Sequence, residues 1–164
     1  MSTAAGGGPT GPWGVPRRRL RRWRQPTAQQ GLVATILVVD DEPSMRRVLR
    51  GFFERAGFDV VEAASAAEAL RHVGGDRAVD AVVSDVMMPE VSGLDFYDQL
   101  MERSRTLAHR VVFLTGAACD PRVHGPIEQR GVPLISKLDD LRLVVDAVRL
   151  ALLRRNAKTI AGAP

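Results

Sequence analysis

The chain has almost no cysteine and no long apolar run, and each absence excludes a class of protein. Cys119 is the single cysteine among 164 residues, so an internal disulfide framework is impossible and a reducing compartment is expected. No apolar stretch approaches the roughly 20 residues that a membrane-spanning helix needs. No internal repeat is visible in the sequence. We therefore expect a cytoplasmic protein without a membrane span, built around one globular domain.

Acidic side chains are absent from residues 1–31, although this segment is strongly basic. It is rich in Gly, Pro and Ala, has no apolar period, and holds six arginines: Arg17, Arg18, Arg19, Arg21, Arg22 and Arg24. We predict that residues 1–33 form a disordered basic leader. Removing these six charges from the net charge of +4 leaves −2 for the rest of the chain. The foldable part is therefore mildly acidic.

Three functional interpretations of the arginine cluster compete with a solvated leader. A twin-arginine export signal would need an apolar region next, but residues 32–39 end in acids and suit a strand better. A nucleic-acid arm could stack bases on Trp13 and Trp23. Contact with an anionic membrane surface is the third interpretation. Because charge runs need not bind anything, we favour the solvated leader and expect nucleic acid to be an unlikely partner.

Beyond residue 33, short apolar runs alternate with amphipathic segments. The apolar runs predict five strands, at residues 35–39, 58–61, 81–84, 110–114 and 132–136. The predicted helices begin at Pro43, at Ser65, after Ser92, within residues 119–130 and near Asp139 or Asp140. Ser65 with Glu68 three residues later is a predicted capping box. Pro121, Gly125 and Pro126 predict that the fourth helix is short or distorted.

This alternation indicates an α/β fold of three layers. Unbroken apolar strands joined by helical crossovers are typical of a five-stranded parallel sheet covered by helices on both faces. The folded domain is expected to span residues 34–155, with a frayed tail over residues 156–164. Since no sequence for an output domain follows residue 155, we expect a stand-alone module.

Polar residues follow four of the predicted strands. They are Asp40, Asp41, Glu42, Asp85, Thr115 and Lys137. Right-handed crossovers bring the carboxyl ends of parallel strands to one edge of the sheet, where ligands bind. Crowded carboxylates resist ionising unless a cation is present, and Mg²⁺ prefers such oxygen ligands. An ionised aspartate can act as a nucleophile toward phosphorus, while a lysine and a hydroxyl neutralise charge. The pattern therefore predicts a phosphoryl-transfer site.

These motifs resemble the signature of two-component response-regulator receiver domains. The similarity covers roughly residues 34–155 and is carried by Val38-Val39-Asp40-Asp41-Glu42, Asp85-Val86-Met87-Met88-Pro89 with Gly93, Thr115-Gly116, and Lys137. The resemblance implies a flavodoxin-like fold with strand order 2-1-3-4-5. It also implies that a sensor histidine kinase or phosphotransfer protein donates a phosphoryl group, and that an unknown downstream protein is contacted by docking.

The resemblance also implies a role for each site residue. Asp85 would be the phosphoacceptor, and Mg²⁺ would be held by Asp40, Asp41, Asp85 and the backbone carbonyl of Met87. The phosphoryl oxygens and the switch would involve four further positions, which are Thr115, Gly116, Leu134 and Lys137.

Three positions depart from the family pattern. Leu138 follows the lysine where proline is usual, Leu134 stands where the family has its switch aromatic, and Pro126 interrupts the fourth helix. A leucine has no hydroxyl or ring to exchange with Thr115. We therefore expect the output face to differ more from the family than the phosphorylation chemistry does.

Two rival functions remain. The chain could be an interaction module that keeps the fold but ignores phosphate, or a phosphohydrolase that works through an aspartyl-phosphate. Such hydrolases carry a second acid two residues after the nucleophile, and Met87 occupies that position after Asp85. We therefore expect a protein that is not an enzyme beyond assisting its own phosphorylation and dephosphorylation.

Overall fold

The structure, a computed structural model, describes residues 33–117 and 120–160, with side chains as far as Leu153. The predicted leader lies outside the described residues apart from Val33, and so do residues 161–164 of the predicted tail. The strands are β1 (Thr35–Val39), β2 (Asp59–Ala63), β3 (Ala81–Asp85), β4 (Val111–Thr115) and β5 (Leu134–Ser136). The helices are α1 (Pro43–Arg55), α2 (Ala66–Val73), α3 (Gly93–Arg103), α4 (Arg105–Ala108), α5 (Pro121–Arg130) and α6 (Arg142–Ile160).

The five strands form one parallel sheet in the order β2-β1-β3-β4-β5. This confirms the predicted fold class and strand order. The register pairs Val39 with Ser84 across β1 and β3, and Asp85 with Leu114 across β3 and β4. The ends of the three central strands therefore lie side by side at one edge of the sheet.

Alternation along each strand divides the core into two layers. One layer packs against α2, α3, α4 and α5, and its strand residues include Leu37, Val39, Val82, Val111 and Phe113. The other packs against α1 and α6, and its strand residues include Ile36, Val38, Val83, Val112 and Leu114. Because successive side chains of a strand point to opposite faces, these strands are apolar at nearly every position.

Side-chain caps fix the start of two helices. The Ser65 hydroxyl accepts a hydrogen bond from Glu68 N at 3.3 Å, as predicted. The Glu68 carboxylate reaches back to Ala64 N at 2.7 Å rather than to Ser65 N. Ser92 likewise accepts from Asp95 N and begins α3. These bonds satisfy backbone donors that have no partner in the first turn of a helix.

The fourth predicted helix is more continuous than the sequence suggested. α5 runs through ten residues without a break, with Pro121 in its first turn and Pro126 inside it. Pro126 lacks only the N–H that would have reached the Arg122 carbonyl in the first turn, so one helical hydrogen bond is lost. Val123 and Ile127 are buried on the core side of α5. Their packing holds the helix despite the proline.

Other boundaries also differ from the prediction. A single helical turn, α4, separates α3 from β4, and β5 begins at Leu134 instead of residue 132. The last helix begins at Arg142 because the Asp140 carboxylate accepts a hydrogen bond from Arg142 N at 2.9 Å and caps it. It continues to Ile160, so residues 156–160 are helical where a frayed tail was predicted. None of the described helices is long and apolar enough to cross a membrane.

Candidate functional site

The turn after β1 buries the first of the three predicted acids. Asp40 is 1% exposed, whereas Asp41 and Glu42 are exposed. Asp40 N donates to the Ala63 carbonyl at 3.2 Å, which continues the pairing with β2. Glu42 N donates to Asp40 Oδ1 at 2.9 Å and closes the turn before Pro43 opens α1. The Asp40 carboxylate is thus held at the edge of the sheet by the backbone that follows it.

Asp85 is the last residue of β3 and is 5% exposed. Met87 N donates to Asp85 Oδ1 at 3.1 Å, and Gly93 N donates to the Val86 carbonyl at 2.9 Å. A Cβ atom on Gly93 would lie 2.1 Å from the Asp85 carbonyl oxygen, which is closer than van der Waals contact permits. Gly93 therefore lets the start of α3 approach the backbone of Asp85.

Three carboxylates meet at this edge and could hold a metal ion. Asp40, Asp41 and Asp85 each offer an oxygen within 4.8 Å of the others. Asp40 Oδ2 is buried, and the Lys137 ammonium lies 2.8 Å from it. A small divalent cation with a preference for oxygen ligands fits such a set. The side chain of Met87 is 61% exposed, and the role of its carbonyl remains a prediction.

Lys137 lies between two of these acids. Its Nζ is 2.7 Å from Asp85 Oδ2, to which it donates a hydrogen bond, and 2.8 Å from Asp40 Oδ2. The two contacts more than offset burial, which by itself favours the neutral amine, so the pKa of Lys137 is raised. The sequence predicted a lysine that meets a phosphoryl group, and the structure shows the same ammonium bridging two carboxylates.

The surroundings of Asp40 disfavour the ionised form of its carboxyl group. Burial raises the pKa of Asp40 above its usual value, and the charge of Asp85 adds to this. The contact with Lys137 and the hydrogen bond from Glu42 N lower the pKa, but by less. The pair is therefore asymmetric: the site favours charged Lys137 and disfavours charged Asp40. A second cation close to Asp40 would relieve this.

The remaining predicted positions follow β4 and lie on β5. Thr115 is fully buried at the end of β4, where its hydroxyl accepts a hydrogen bond from Ala117 N at 3.2 Å, and its carbonyl accepts one from Lys137 N at 2.9 Å. Gly116 is exposed, and a Cβ there would have no neighbour within 4 Å. Leu134 is half-buried against the layer that contains Phe113. Leu134 is thus a core contact of β5.

One contact at the site was not identified from the sequence. Arg46, in the first turns of α1, donates from Nη1 to the carbonyl oxygen of Asp40 at 2.6 Å. The only signal available was an arginine six residues after a strand-end acid, next to a second arginine, Arg47. Helical periodicity alone does not tell which of two adjacent arginines turns back toward the strand.

Comparison of the sequence with known proteins finds response regulators and their receiver domain. The family profile of the response regulator receiver domain matches residues 36–149. Response regulator Rre1 of Synechocystis is 37% identical over 131 residues, which is 78% of this chain and 55% of the relative. ResD, a transcriptional regulatory protein of Bacillus subtilis, is 36% identical over 76% of this chain and 50% of its own length. The chain thus spans about half the length of the curated relatives it matches.

Solved structures agree with the fold. A response regulator receiver domain protein from Clostridium thermocellum superposes with a TM-score of 0.67 at 26% identity, covering 76% of this chain and 98% of that one. Response regulator TrrA of Thermotoga maritima, solved in complex with Mg²⁺ and BeF, has a TM-score of 0.64 at 24% identity. It covers 73% of this chain and 100% of its own, and at that identity it supports the fold alone. With five strands in the order 2-1-3-4-5 and the profile match over most of its length, the chain belongs to the response regulator receiver domain family.

Proposed function

We propose that this chain is a phosphoacceptor receiver of a two-component phosphorelay, with Asp85 as the residue that is phosphorylated. The observation that carries the proposal is the position of Asp85. It ends the central strand β3, lies within 4.8 Å of Asp40 and Asp41, and accepts a hydrogen bond from Lys137 at 2.7 Å. The phosphodonor is a phosphohistidine on a sensor histidine kinase or a phosphotransfer protein. Asp85 Oδ attacks phosphorus, the P–N bond breaks, and its electron pair stays on the imidazole nitrogen.

The residues of this chain would hold Mg²⁺ through Asp40, Asp41, Asp85 and the Met87 carbonyl. The burial of Asp40 beside two other carboxylates and the raised pKa of its carboxyl support a divalent cation here. Mg²⁺ supplies charge neutralisation for the phosphoryl oxygens when it is bound.

Lys137 and Thr115 take the part of the phosphoryl charge that the metal leaves uncovered. A phosphoryl group on Asp85 adds roughly −1.5 to −2 charge. Lys137 already contacts Asp85, so its ammonium moves from a carboxylate to a phosphoryl oxygen with a small displacement. The Thr115 hydroxyl can donate its proton while it accepts from Ala117 N. Gly116 and Leu134 complete the predicted switch region after β4 and on β5.

The phosphorylated domain would signal in the cytoplasm by docking to a downstream protein. It would catalyse no reaction on other substrates, since its chemistry serves its own Asp85. Asp98 of α3 and Arg130 of α5 form a two-bond ion pair at 2.8 and 3.2 Å, which couples the two helices beside the switch region. A shift of α5 on phosphorylation would therefore pull on α3 through this ion pair.

The direct test is intact mass spectrometry after treatment with acetyl phosphate. With Mg²⁺ the wild type should gain the mass of one phosphoryl group, and without Mg²⁺ the gain should be much smaller. Asp85→Asn is nearly isosteric and should fold but remain unlabelled. Equal labelling of Asp85→Asn would refute the assignment of Asp85.

A phosphorylation-independent interaction module is the second candidate, and two residues favour it. Leu134 lies in the core layer where the family's switch aromatic would move, and Leu138 after the lysine is 89% exposed. Neither leucine supplies a hydroxyl or a ring that would respond to a phosphoryl group on Asp85. A wild type that stays unlabelled in the presence of Mg²⁺, yet binds a histidine kinase domain, would establish this alternative.

A further inference from the structure

Helix α1 contacts the turn that carries Asp40 and Asp41, and this contact has no part in the phosphoryl transfer proposed above. Arg46 Nη1 donates to the carbonyl oxygen of Asp40 at 2.6 Å, and the Arg46 side chain is partly buried. A hydrogen bond from a guanidinium is charge-assisted and is about twice as strong as one between neutral groups. The side chain thus spans the turn from the helix back to the end of β1.

A hydrogen bond to the Asp40 carbonyl oxygen can orient both Asp40 and Asp41. It belongs to the same planar peptide unit as the N–H of Asp41, so a bond to this oxygen fixes the plane between the two residues. The peptide on the other side of Asp40 is fixed separately, because Asp40 N donates to the Ala63 carbonyl at 3.2 Å. Glu42 N holds Asp40 Oδ1 at 2.9 Å. Arg46 therefore completes the restraint of the backbone that carries Asp40 and Asp41.

We infer that Arg46 is a positioning residue for the metal site, because it orients the peptide between Asp40 and Asp41 so that both carboxylates meet Asp85. The inference rests on the proposed function, since it takes these acids to be the Mg²⁺ ligands. Arg46 acts through the backbone and contacts neither the phosphoryl group nor the metal.

Positioning and charge predict opposite effects on metal binding. Arg46 adds a positive charge close to the site, so electrostatics alone predicts that its removal tightens Mg²⁺ binding. Loss of orientation predicts weaker binding, because groups that orient metal ligands typically contribute roughly 10- to 100-fold in affinity. The sign of the change therefore separates the two roles. Arg47 is exposed on the same helical turn and carries the same charge, which makes it a matched control.

The experiment is a calorimetric Mg²⁺ titration of the full chain, with unfolding free energies measured in Mg²⁺-free buffer alongside. We expect Arg46→Met to weaken Mg²⁺ binding by about tenfold, while Arg47→Met binds as tightly as the wild type or slightly tighter. Arg46→Lys keeps the charge and one donor on a different head group, and it should fall between the wild type and Arg46→Met. The phosphorylation rate at saturating Mg²⁺ should recover toward the wild-type rate in Arg46→Met.

Binding by Arg46→Met as tight as by the wild type, or an equal loss in Arg47→Met, would overturn the inference. If Arg46→Met does not fold, the comparison of Arg46→Lys with Arg47→Lys carries the test, and equal affinities would overturn it. A wild type that neither binds Mg²⁺ nor is labelled on Asp85 would instead defeat the proposed function. The two failures are therefore distinguishable.

Discussion

At the residue scale, the Lys137 ammonium contacts the same carboxylates that form the candidate metal site. Lys137 Nζ lies within 2.8 Å of a carboxylate oxygen of both Asp40 and Asp85. These two acids, with Asp41, are also the residues that could hold a metal ion. The sequence predicted the acids and the lysine correctly as neighbours. It could not predict that the ammonium contacts Asp40, because that contact depends on the rotamer of Lys137 and not on the order of strands.

The shifted pKa of Asp40 leads to a prediction about stability. Because the folded state raises this pKa, native protein binds more protons than unfolded protein between the unfolded and folded values, and stability falls as pH rises through that interval. In Mg²⁺-free buffer, Asp40→Asn should therefore be more stable than the wild type at neutral pH. The gain should disappear as the pH falls below the unfolded value near 3.8. Urea unfolding at several pH values measures this.

Mg²⁺ supplies the control for the Asp40 prediction. A ligand that binds only the native state stabilises it by mass action, and Asp40→Asn loses part of that binding. At high Mg²⁺ the wild type should therefore gain more stability than the variant does. A variant less stable than the wild type at neutral pH without Mg²⁺ would show that the pairing with Lys137 outweighs burial.

Replacing Lys137 should affect metal binding and phosphorylation in opposite directions. Two unit charges about 4 Å apart repel by roughly 1 kcal/mol even in water, and the repulsion doubles for a divalent ion, so Lys137→Met should tighten Mg²⁺ binding by about 30-fold. Phosphorylation of Asp85 should slow, because no ammonium then meets the phosphoryl oxygens. Calorimetry and the time course of labelling measure the two effects. Unchanged labelling would mean that another cation serves the phosphoryl group.

At the scale of elements, apolar patterns in the sequence predicted the five strands and five of the six helices. The errors are in element boundaries and in the short helix α4. The strand order, which the resemblance to receiver domains implied, and the cap at Ser65, which the spacing of Ser65 and Glu68 predicted, are confirmed. The start of α6 was predicted two or three residues early, because an acid before a helix can be its cap as well as its first residue. The turn α4 was missed because four residues between α3 and β4 show no periodicity. Such boundaries are decided by single hydrogen bonds.

α5 offers a prediction of its own, because Pro126 lies inside a continuous helix. Proline inside a helix costs up to about 3 kcal/mol through the lost hydrogen bond and a clash with the preceding turn. Pro126→Ala should therefore stabilise the domain by about 1–3 kcal/mol in urea unfolding. Gly125→Ala, the adjacent substitution, has room for its Cβ and should add up to about 1 kcal/mol. Loss of stability in Pro126→Ala would mean that the ring itself packs against the domain.

At the scale of the whole molecule, the folded domain and the leader are expected to be independent. The arginines of residues 17–24 lie outside the described residues, and the remainder of the chain is acidic. A chain lacking residues 1–31 should keep the labelling rate of Asp85 and its unfolding free energy. The full chain should bind duplex DNA weakly at physiological salt, with a logarithmic salt slope no steeper than about −0.9 for each of the six arginines. Tight binding that survives about 0.2 M salt would instead identify a nucleic-acid arm.

Asp85 is one of three adjacent carboxylates, and it alone is proposed to receive the phosphoryl group. The most direct measurement is to label the full chain with acetyl phosphate and Mg²⁺, convert the acyl phosphate to a stable adduct with hydroxylamine, and locate the adduct by peptide mass spectrometry. The adduct should be found on Asp85 in the wild type, with Asp40 and Asp41 unmodified, and should be absent after Asp85→Asn. An adduct on Asp40 or Asp41, or no adduct in a folded chain that binds Mg²⁺, would refute Asp85 as the phosphoacceptor.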